Sequence, residues 1–349
     1  MSNSLLILIQ GREVAASRYR ILQYIPYLQE HGVICTVREF PRSPGEYISL
    51  SAILSEYDCV FVQRKRFHFP FLTLFRRQAK RVVYDLDDAV MFKNTLAKFP
   101  YSRTRERRFR NMVCSSDVII AGNTFLQEQA SRHHSRVMVI PTSIPAQRYC
   151  LKDYTRKKER ITIGWIGDHG SIHYLKRIKD IFEEIGRRFS GKVELKIVCD
   201  TFIDCSHIPV RKVRWSQDTE VAELMDMDIG VMPLVDDPWS WGKCGLKILQ
   251  YFGVGVPAVC TPVGVNRDVV VHGHNGFWAN SPEEWIDALS TFVINEKDRK
   301  CMGLRGRMTL ESGYTMEANS SHILSSILGN DKDGKSLRNG HWMNTVILL

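Results

Sequence analysis

No run of eighteen apolar residues occurs in the 349-residue sequence, which removes a membrane-spanning helix from the expected elements. The nine cysteines, at 35, 59, 114, 150, 199, 205, 244, 260 and 301, include no Cys-x-x-Cys pair and no Cys/His spacing suited to zinc. Most sit in apolar runs and read as reduced core residues of a cytoplasmic protein. Residues 1–10 lack the basic region and the small-residue cleavage site of a signal peptide, so they read as a first β-strand. No repeat of solenoid period is present. Acidic residues are scarce in the first half: residues 1–160 carry 27 Lys/Arg against 14 Asp/Glu, whereas the remainder carries 21 against 24. That surplus suits an anionic partner, a membrane surface or a polyanion, and equally a well-solvated basic surface.

What is present is ordinary in bulk and specific in pattern. At 44% apolar and 25% charged, the composition is that of a globular protein, and the length favours two domains, each with its own core. Short runs apolar on both faces recur at 5–9, 33–37, 59–63, 82–84, 118–121 and 137–140. A second series follows at 161–165, 193–198, 213–215, 229–233, 258–261 and 276–279. Helical spacing separates them, as over 18–31, where Ile21, Tyr24, Ile25 and Leu28 precede Gly32. Strands of this kind belong to parallel sheets covered by helices. Two such series predict an α/β chain of two doubly wound, Rossmann-like domains. The polar stretch 149–160 reads as the linker, giving domains at 1–155 and 156–328, with the last helix free to cross back to the first. Residues 329–349 read as a flexible tail ending in an apolar segment.

The densest signal is Gly242-Lys-Cys-Gly-Leu-Lys-Ile-Leu-Gln-Tyr-Phe-Gly-Val-Gly-Val-Pro257, leading into a buried strand at 258. It reads as a glycine-rich turn, a short helix, a glycine stop and a strand. Glycines allow close backbone approach to a ligand, and a helix N-terminus favours an anion. Lys243 and Lys247, four apart, would share a helical face and add positive charge there; the plain alternative is two solvated lysines. Gly164-x-x-Gly167-x-x-Gly170-Ser171 lies between a predicted strand and a predicted helix, and is either a second phosphate loop or a tight turn.

These motifs, with Asp228-Ile-Gly-Val-Met-Pro-Leu234, His274-Asn-Gly-Phe277, Met302-Gly-Leu-Arg-Gly-Arg307, Ser17-Arg-Tyr-Arg20, Val83-Tyr-Asp-Leu-Asp-Asp88 and Ile140-Pro-Thr-Ser-Ile144, resemble the GT-B glycosyltransferases, in particular the retaining family 4. The resemblance is strongest from 161 to about 310. It implies two Rossmann-like domains facing across a cleft, a nucleotide-sugar on the C-terminal one and an acceptor on the N-terminal one, with no metal or other cofactor required. One departure stands out. Such enzymes commonly carry two glutamates in the nucleotide-sugar loop, for sugar hydroxyls and for the ribose. The matching positions here are Gly242 and Gln250.

The resemblance assigns the donor diphosphate to Lys247 and, second, to Lys243. The rest of the donor would meet Gly167, Gly170, Ser171, Gly242, Cys244, Gly245, Leu246 and Gln250. Two charges developing on a departing phosphate are stabilised by fixed cations and N–H dipoles. Asp87 and Asp88 end a predicted strand and would orient an acceptor hydroxyl or touch the sugar; helix capping and pairing with nearby arginines are the alternatives. Gly11, Arg18 and Arg20 would face acceptor or phosphate, with Ser17 as a helix N-cap. Trp239 and Trp241 would stack on a base or sugar, or fill core.

The expected activity is sugar transfer from a nucleotide-sugar to a hydroxyl of a glycan or lipid-linked acceptor. The enzyme would be cytoplasmic, docked by a basic, aromatic-rich N-domain on an anionic inner leaflet. Nucleic acid is not an expected partner. A nucleotide-sugar epimerase on this scaffold and a non-catalytic relative acting as a binding subunit are the alternatives.

Overall fold

Leu5 through Ile9 are fully buried, as are Val60, Phe61, Val62, Val82, Val83 and Tyr84, so the first strands have both faces covered. A computed structural model describes residues 3–329. The first sheet comprises β1 (Asn3–Ile9), β2 (Val33–Glu39), β3 (Cys59–Gln63), β4 (Val82–Leu86), β5 (Val118–Ala121) and β6 (Val137–Val139). Its order is β2-β1-β3-β4-β5-β6 and every pairing is parallel, with Leu5 opposite Cys35 on one side and Cys59 on the other.

The second sheet comprises β7 (Ile161–Ile166), β8 (Val193–Cys199), β9 (Val210–Arg214), β10 (Ile229–Met232), β11 (Ala258–Cys260) and β12 (Gly276–Trp278). It is also parallel throughout, in the order β12-β11-β10-β7-β8-β9. Its core joins Ile163, Trp165, Leu195, Ile197 and Val231 from the sheet to Leu175, Phe182, Leu289 and Phe292 from the flanking helices. β9 begins three residues before the predicted run, because this edge strand reads Val-Arg-Lys-Val-Arg and its charged side chains dilute the apolar signal.

Residues 3–91, 101–140 and 320–329 form one compact unit; residues 92–100 and 141–319 form the other. The predicted helix over 18–31 is interrupted: Ala15–Arg20 and Ile25–Glu30 are α-helical with a 3₁₀ turn between them. Pro26 supplies no N–H there, and Gly32, at φ +79°, ends the element. The largely exposed stretch 149–160 is pinned at several residues. Tyr149 is fully buried, Lys152 pairs with Asp228 at 2.6 Å, and the Tyr154 hydroxyl donates to the Gly255 carbonyl at 2.6 Å. All nine cysteines are free thiols, but only Cys59, Cys199 and Cys260 are buried and Cys114 and Cys150 are exposed, so the reading of most as core residues is corrected. The expected tail lies, from residue 330 on, outside the described residues.

Candidate functional site

In the second sheet the chain moves outward from β7 through β8 to β9, then returns to β10 on the opposite side of β7 and continues to β12. β7 and β10 are therefore the strands at which the direction of winding reverses. Loops leaving their carboxyl ends diverge, and ligands of doubly wound sheets bind in the crevice so formed. The loop after β7 is 167–171, and the stretch after β10 leads into the helix Leu246–Gly253.

The first of these loops is a tight turn. Ser171 N and Ile172 N donate to the Asp168 carbonyl at 3.0 and 3.1 Å, and the Ser171 hydroxyl is within 3.2 Å of both Asp168 N and Asp168 O. Gly167 N donates to Val198 O at 3.0 Å. A Cβ at Gly167 would lie 2.4 Å from the Trp165 ring, so glycine here admits that indole; Gly170 is more open, the first atom met being Asp168 Oδ1 at 3.4 Å. Of the three loop residues predicted to meet the donor, Gly170 has the open backbone, while Gly167 and Ser171 are committed to the turn.

After β10, Asp237 caps a short helix, Pro238–Trp241, by accepting from Ser240 N at 2.7 Å. Gly242 closes it in an ordinary conformation and is buried. Gly245 then adopts φ +71°, a left-handed conformation that costs any other residue strain, and opens the helix Leu246–Gly253. The first-turn N–H groups of that helix have no intrahelical acceptor. Lys247 is its second residue; Lys243 lies in the preceding turn. The expected shared helical face is thus corrected: the left-handed Gly245 separates the two lysines. Lys247 Nζ stands over Trp165, 5.5 Å from the ring centroid, and Lys243 Nζ over Trp239 at 5.0 Å. Trp239 is thereby engaged by a lysine, and the exposed Trp241 donates to Asp236 at 2.6 Å. The two lysines nevertheless act on one group. Burial raises the Asp168 carboxyl, but Lys247, the Ser171 hydroxyl and Lys243 together hold it below the usual carboxylate range.

The later glycines of the same stretch serve packing. A Cβ at Gly253 would press on Ile144 and Tyr149, one at Gly255 on Tyr154 and Leu151, and Gly303 of the helix Glu296–Gly313 lies directly against the Gly255 carbonyl. Gln250 is buried, at 3% exposure, and its amide donates to the Tyr149 hydroxyl at 3.2 Å. That hydroxyl donates to Glu220 at 3.1 Å, and Glu220 accepts from Trp215 Nε1 at 2.9 Å. Gln250, expected to meet the donor, thus has its amide nitrogen turned into a buried network.

In the first unit the corresponding reversal lies between β1 and β3. Gln63, ending β3, accepts from Gln10 N at 3.3 Å and from the Ser17 hydroxyl at 3.1 Å, fixing the loop that holds Gly11; its own Nε2 is buried without a partner. Ser17 is inside the helix Ala15–Arg20, whose N-cap is Val14, so the capping expectation is corrected. Arg18 is half-buried with its guanidinium 5.0 Å from the Tyr19 ring. Arg20 does not present itself to a phosphate: it is 2% exposed, pairs with the fully buried Asp85 at 2.5 Å and donates to Ile140 O at 2.8 Å. Asp87 and Asp88 show the pairing with a nearby arginine that was the alternative reading: Arg64 donates to Asp87 at 2.6 Å and pairs with Asp88 at 2.9 Å. Arg64 holds them from a left-handed φ of +57°, strained for a residue with a side chain. Among the described residues, no three His, Cys, Asp or Glu side chains are grouped to hold a metal ion.

Two features of the second-unit site escaped the sequence. Thr95, Tyr174 and Ser240 form a hydroxyl cluster, with Tyr174 Oη 2.6 Å from Thr95 and 3.1 Å from Ser240; no spacing in the chain announces three residues so far apart. His173 has both ring nitrogens buried without a partner of normal geometry, and burial lowers its pKa. Its position two residues after Ser171 was the one available signal.

A chain of two doubly wound units, with a glycine turn opening a helix at the winding reversal of the second sheet, has the architecture of the GT-B glycosyltransferases. Residues 160–295, which span that whole sheet, match the family described as Glycosyl transferases group 1. The solved sucrose-phosphate synthase from Thermosynechococcus elongatus is similar over 93% of this chain and 97% of its own, at 12% identity and a TM-score of 0.72. HepE from Anabaena, solved in complex with UDP and glucose, is similar over 94% of this chain and 100% of its own, at 14% identity and a TM-score of 0.70. An alpha-glucosyltransferase in complex with UDP and a 13-mer DNA is similar over 94% of this chain and 100% of its own, at 10% identity and a TM-score of 0.67. No curated protein matches the sequence. The chain has the GT-B fold, and its second unit resembles the group 1 glycosyltransferases in sequence as well.

Proposed function

We propose that the protein transfers a sugar from a nucleotide-sugar to a hydroxyl of a glycan or lipid-linked acceptor, with retention of anomeric configuration. One observation carries this reading: left-handed Gly245 opens the helix Leu246–Gly253 at the β7/β10 reversal, with Lys247 in its first turn. First-turn N–H groups, the helix dipole and an ammonium then converge on one anion. The diphosphate binds there, with Lys243 as the second cation. As the sugar–phosphate bond breaks, these fixed charges stabilise the departing diphosphate, so the reaction as read needs no metal. Retention follows if the acceptor attacks the face from which the phosphate leaves, with the phosphate oxygen taking the acceptor proton.

Supporting a lipid-linked acceptor, the first unit exposes Phe69 (81%), Ile48 (62%) and Leu74 (37%). Arg103, Arg107, Arg108 and Arg110 are exposed on the helix Arg103–Cys114, and Arg108 acts electrostatically on Tyr47, whose ring stacks on Phe71 at 4.4 Å. Exposed apolar side chains and exposed arginines on the same unit suit an anionic bilayer surface. No helix among the described residues is long and apolar enough to cross a membrane. A binding-only role is a second reading, favoured by bare, buried Gly242 and by the engaged amide of Gln250.

The test is a thermal-shift panel of nucleoside diphosphates and their sugar esters, followed by product analysis with the ester that binds. A ligand held by the native state raises the melting temperature by mass action. A shift with at least one pair, and a transferred sugar of unchanged anomeric configuration, is expected. No shift with any pair overturns the reading. A shift without turnover selects the binding-only role, and a changed sugar released without an acceptor selects an epimerase.

A further inference from the structure

Facing the two lysines, the loop after β7 carries a carboxylate. Asp168 sits in the loop after β7, its Oδ1 alongside the open Cα of Gly170. It has no ion pair within 4 Å among the described residues, although Lys247 and Lys243 are the strongest positive charges acting on it. Its backbone N–H and carbonyl are engaged by Ser171, so the turn fixes where the carboxylate stands. The loop itself is tethered at its next residue, where His169 Nδ1 lies 2.9 Å from Asp200 Oδ2 at the end of β8.

A carboxylate in an anion site opposes the anion unless it serves another part of the same ligand. A nucleoside diphosphate ends in a phosphate whose second ionisation is near pH 6, so at pH 7 it carries nearly one more negative charge than the sugar ester. An acceptor-only group held beside the lysines repels that extra charge and offers hydrogen-bond acceptors to hydroxyls. At Gly242, where related loops place a sugar-binding glutamate, there is only buried backbone.

Resting on the function proposed above, we infer that Asp168 is the donor-sugar recognition residue of this chain: its carboxylate accepts hydrogen bonds from hydroxyls of the transferred sugar and disfavours the nucleoside diphosphate left behind. The two lysines and Asp168 together prefer the intact donor to the spent one, which aids product release.

The test is calorimetric titration of wild type, Asp168→Asn and Asp168→Ala with whichever pair the thermal-shift panel selects, UDP with UDP-glucose, GDP with GDP-mannose or ADP with ADP-glucose. Both variants are expected to bind the nucleoside diphosphate as tightly as wild type or several-fold more tightly. Both are expected to lose about tenfold in the preference for the sugar ester, in line with a charge-assisted hydrogen bond. Asp168→Glu should recover part of that preference, with melting temperatures near wild type confirming intact folds. An unchanged ester-to-diphosphate ratio in both variants would overturn the assignment while leaving the diphosphate site standing. Failure of wild type to bind either member of any pair would overturn the site and the assignment together.

Discussion

The Lys247 ammonium stands 5.5 Å from the centroid of the Trp165 ring, and that ring is 1% exposed. A cation over an indole face gains about 0.5–1 kcal/mol at a partly exposed site. More important here, the contact restricts a flexible side chain before any ligand arrives, so less entropy is lost on binding. The indole is next to last in β7 and the lysine is second in the helix Leu246–Gly253, so one contact joins the two segments of the winding reversal.

Gly167→Ala should disturb that relationship without altering either partner. The added methyl would lie 2.4 Å from the Trp165 ring and 2.8 Å from Ser171 Oγ. Overpacking of this kind costs about 1–3 kcal/mol. The expected result is a lower melting temperature together with weaker nucleoside diphosphate binding; an unchanged value of both would show that the ring does not position Lys247.

Restoring the acid that related loops carry should not improve the enzyme. Gln250→Glu removes the amide that donates to Tyr149, leaving two carboxylates, at 220 and 250, to share one buried hydroxyl proton. A buried acceptor left without its donor costs about 1–3 kcal/mol. Chemical denaturation should show that loss. A variant as stable as wild type and more active would mean that Gln250 faces the ligand instead.

Acid should loosen the second unit through Asp226. Burial raises its carboxyl, yet Lys196, Lys158 and Arg211 outweigh burial and hold it far below the usual range. Lys196 is fully buried and also pairs with Glu223 at 2.6 Å. A depressed folded-state pKa contributes stability that is complete above the unfolded pKa, about 4, and declines as pH falls from there toward the folded value. Wild type should therefore exceed Asp226→Asn in stability by a constant margin above about pH 5, and the margin should narrow below about pH 4. Thermal melts across pH 3–7 measure it; a margin independent of pH would contradict the pairing.

The exposed aromatic and basic face of the first unit yields a separate outcome. Co-sedimentation with phosphatidylglycerol-containing vesicles should be retained at low salt and fall with ionic strength, while pure phosphatidylcholine vesicles should bind weakly. Phe69→Ala should reduce binding several-fold with no change in melting temperature, since Phe69 is 81% exposed. Equal binding of wild type and variant would remove Phe69 from the docking surface.

All twelve strands were legible: those buried on both faces leave an unbroken apolar run such as 5–9 or 118–121, whereas β8 keeps its apolar signal around Glu194 and Lys196 and β9 shows only near its end. The glycine turn was legible as a turn, since Gly245 and Gly255 both occupy left-handed conformations that glycine tolerates best. What each glycine serves was not legible: Gly253 and Gly255 make room for Tyr149 and Tyr154, residues about a hundred positions away. The same limit hid the fate of Arg20 and the identity of the arginine that pairs with Asp87 and Asp88. Their partners, Asp85 and Arg64, are set by neighbouring strands rather than by spacing in sequence. Asp168 carries no sequence signal of its own, because the two lysines that act on it lie about seventy-five residues further along the chain.

In the function proposed, the turn at Gly245 and the first helical turn carrying Lys247 hold the donor diphosphate. Calorimetric titration of the nucleoside diphosphate selected by thermal shift into wild type and Lys247→Ala tests it most directly. Removing one charge-assisted contact worth about 1.5–3 kcal/mol should weaken binding roughly ten- to hundredfold, with the fold intact. Equal affinity of the two proteins would contradict the account and place the diphosphate elsewhere.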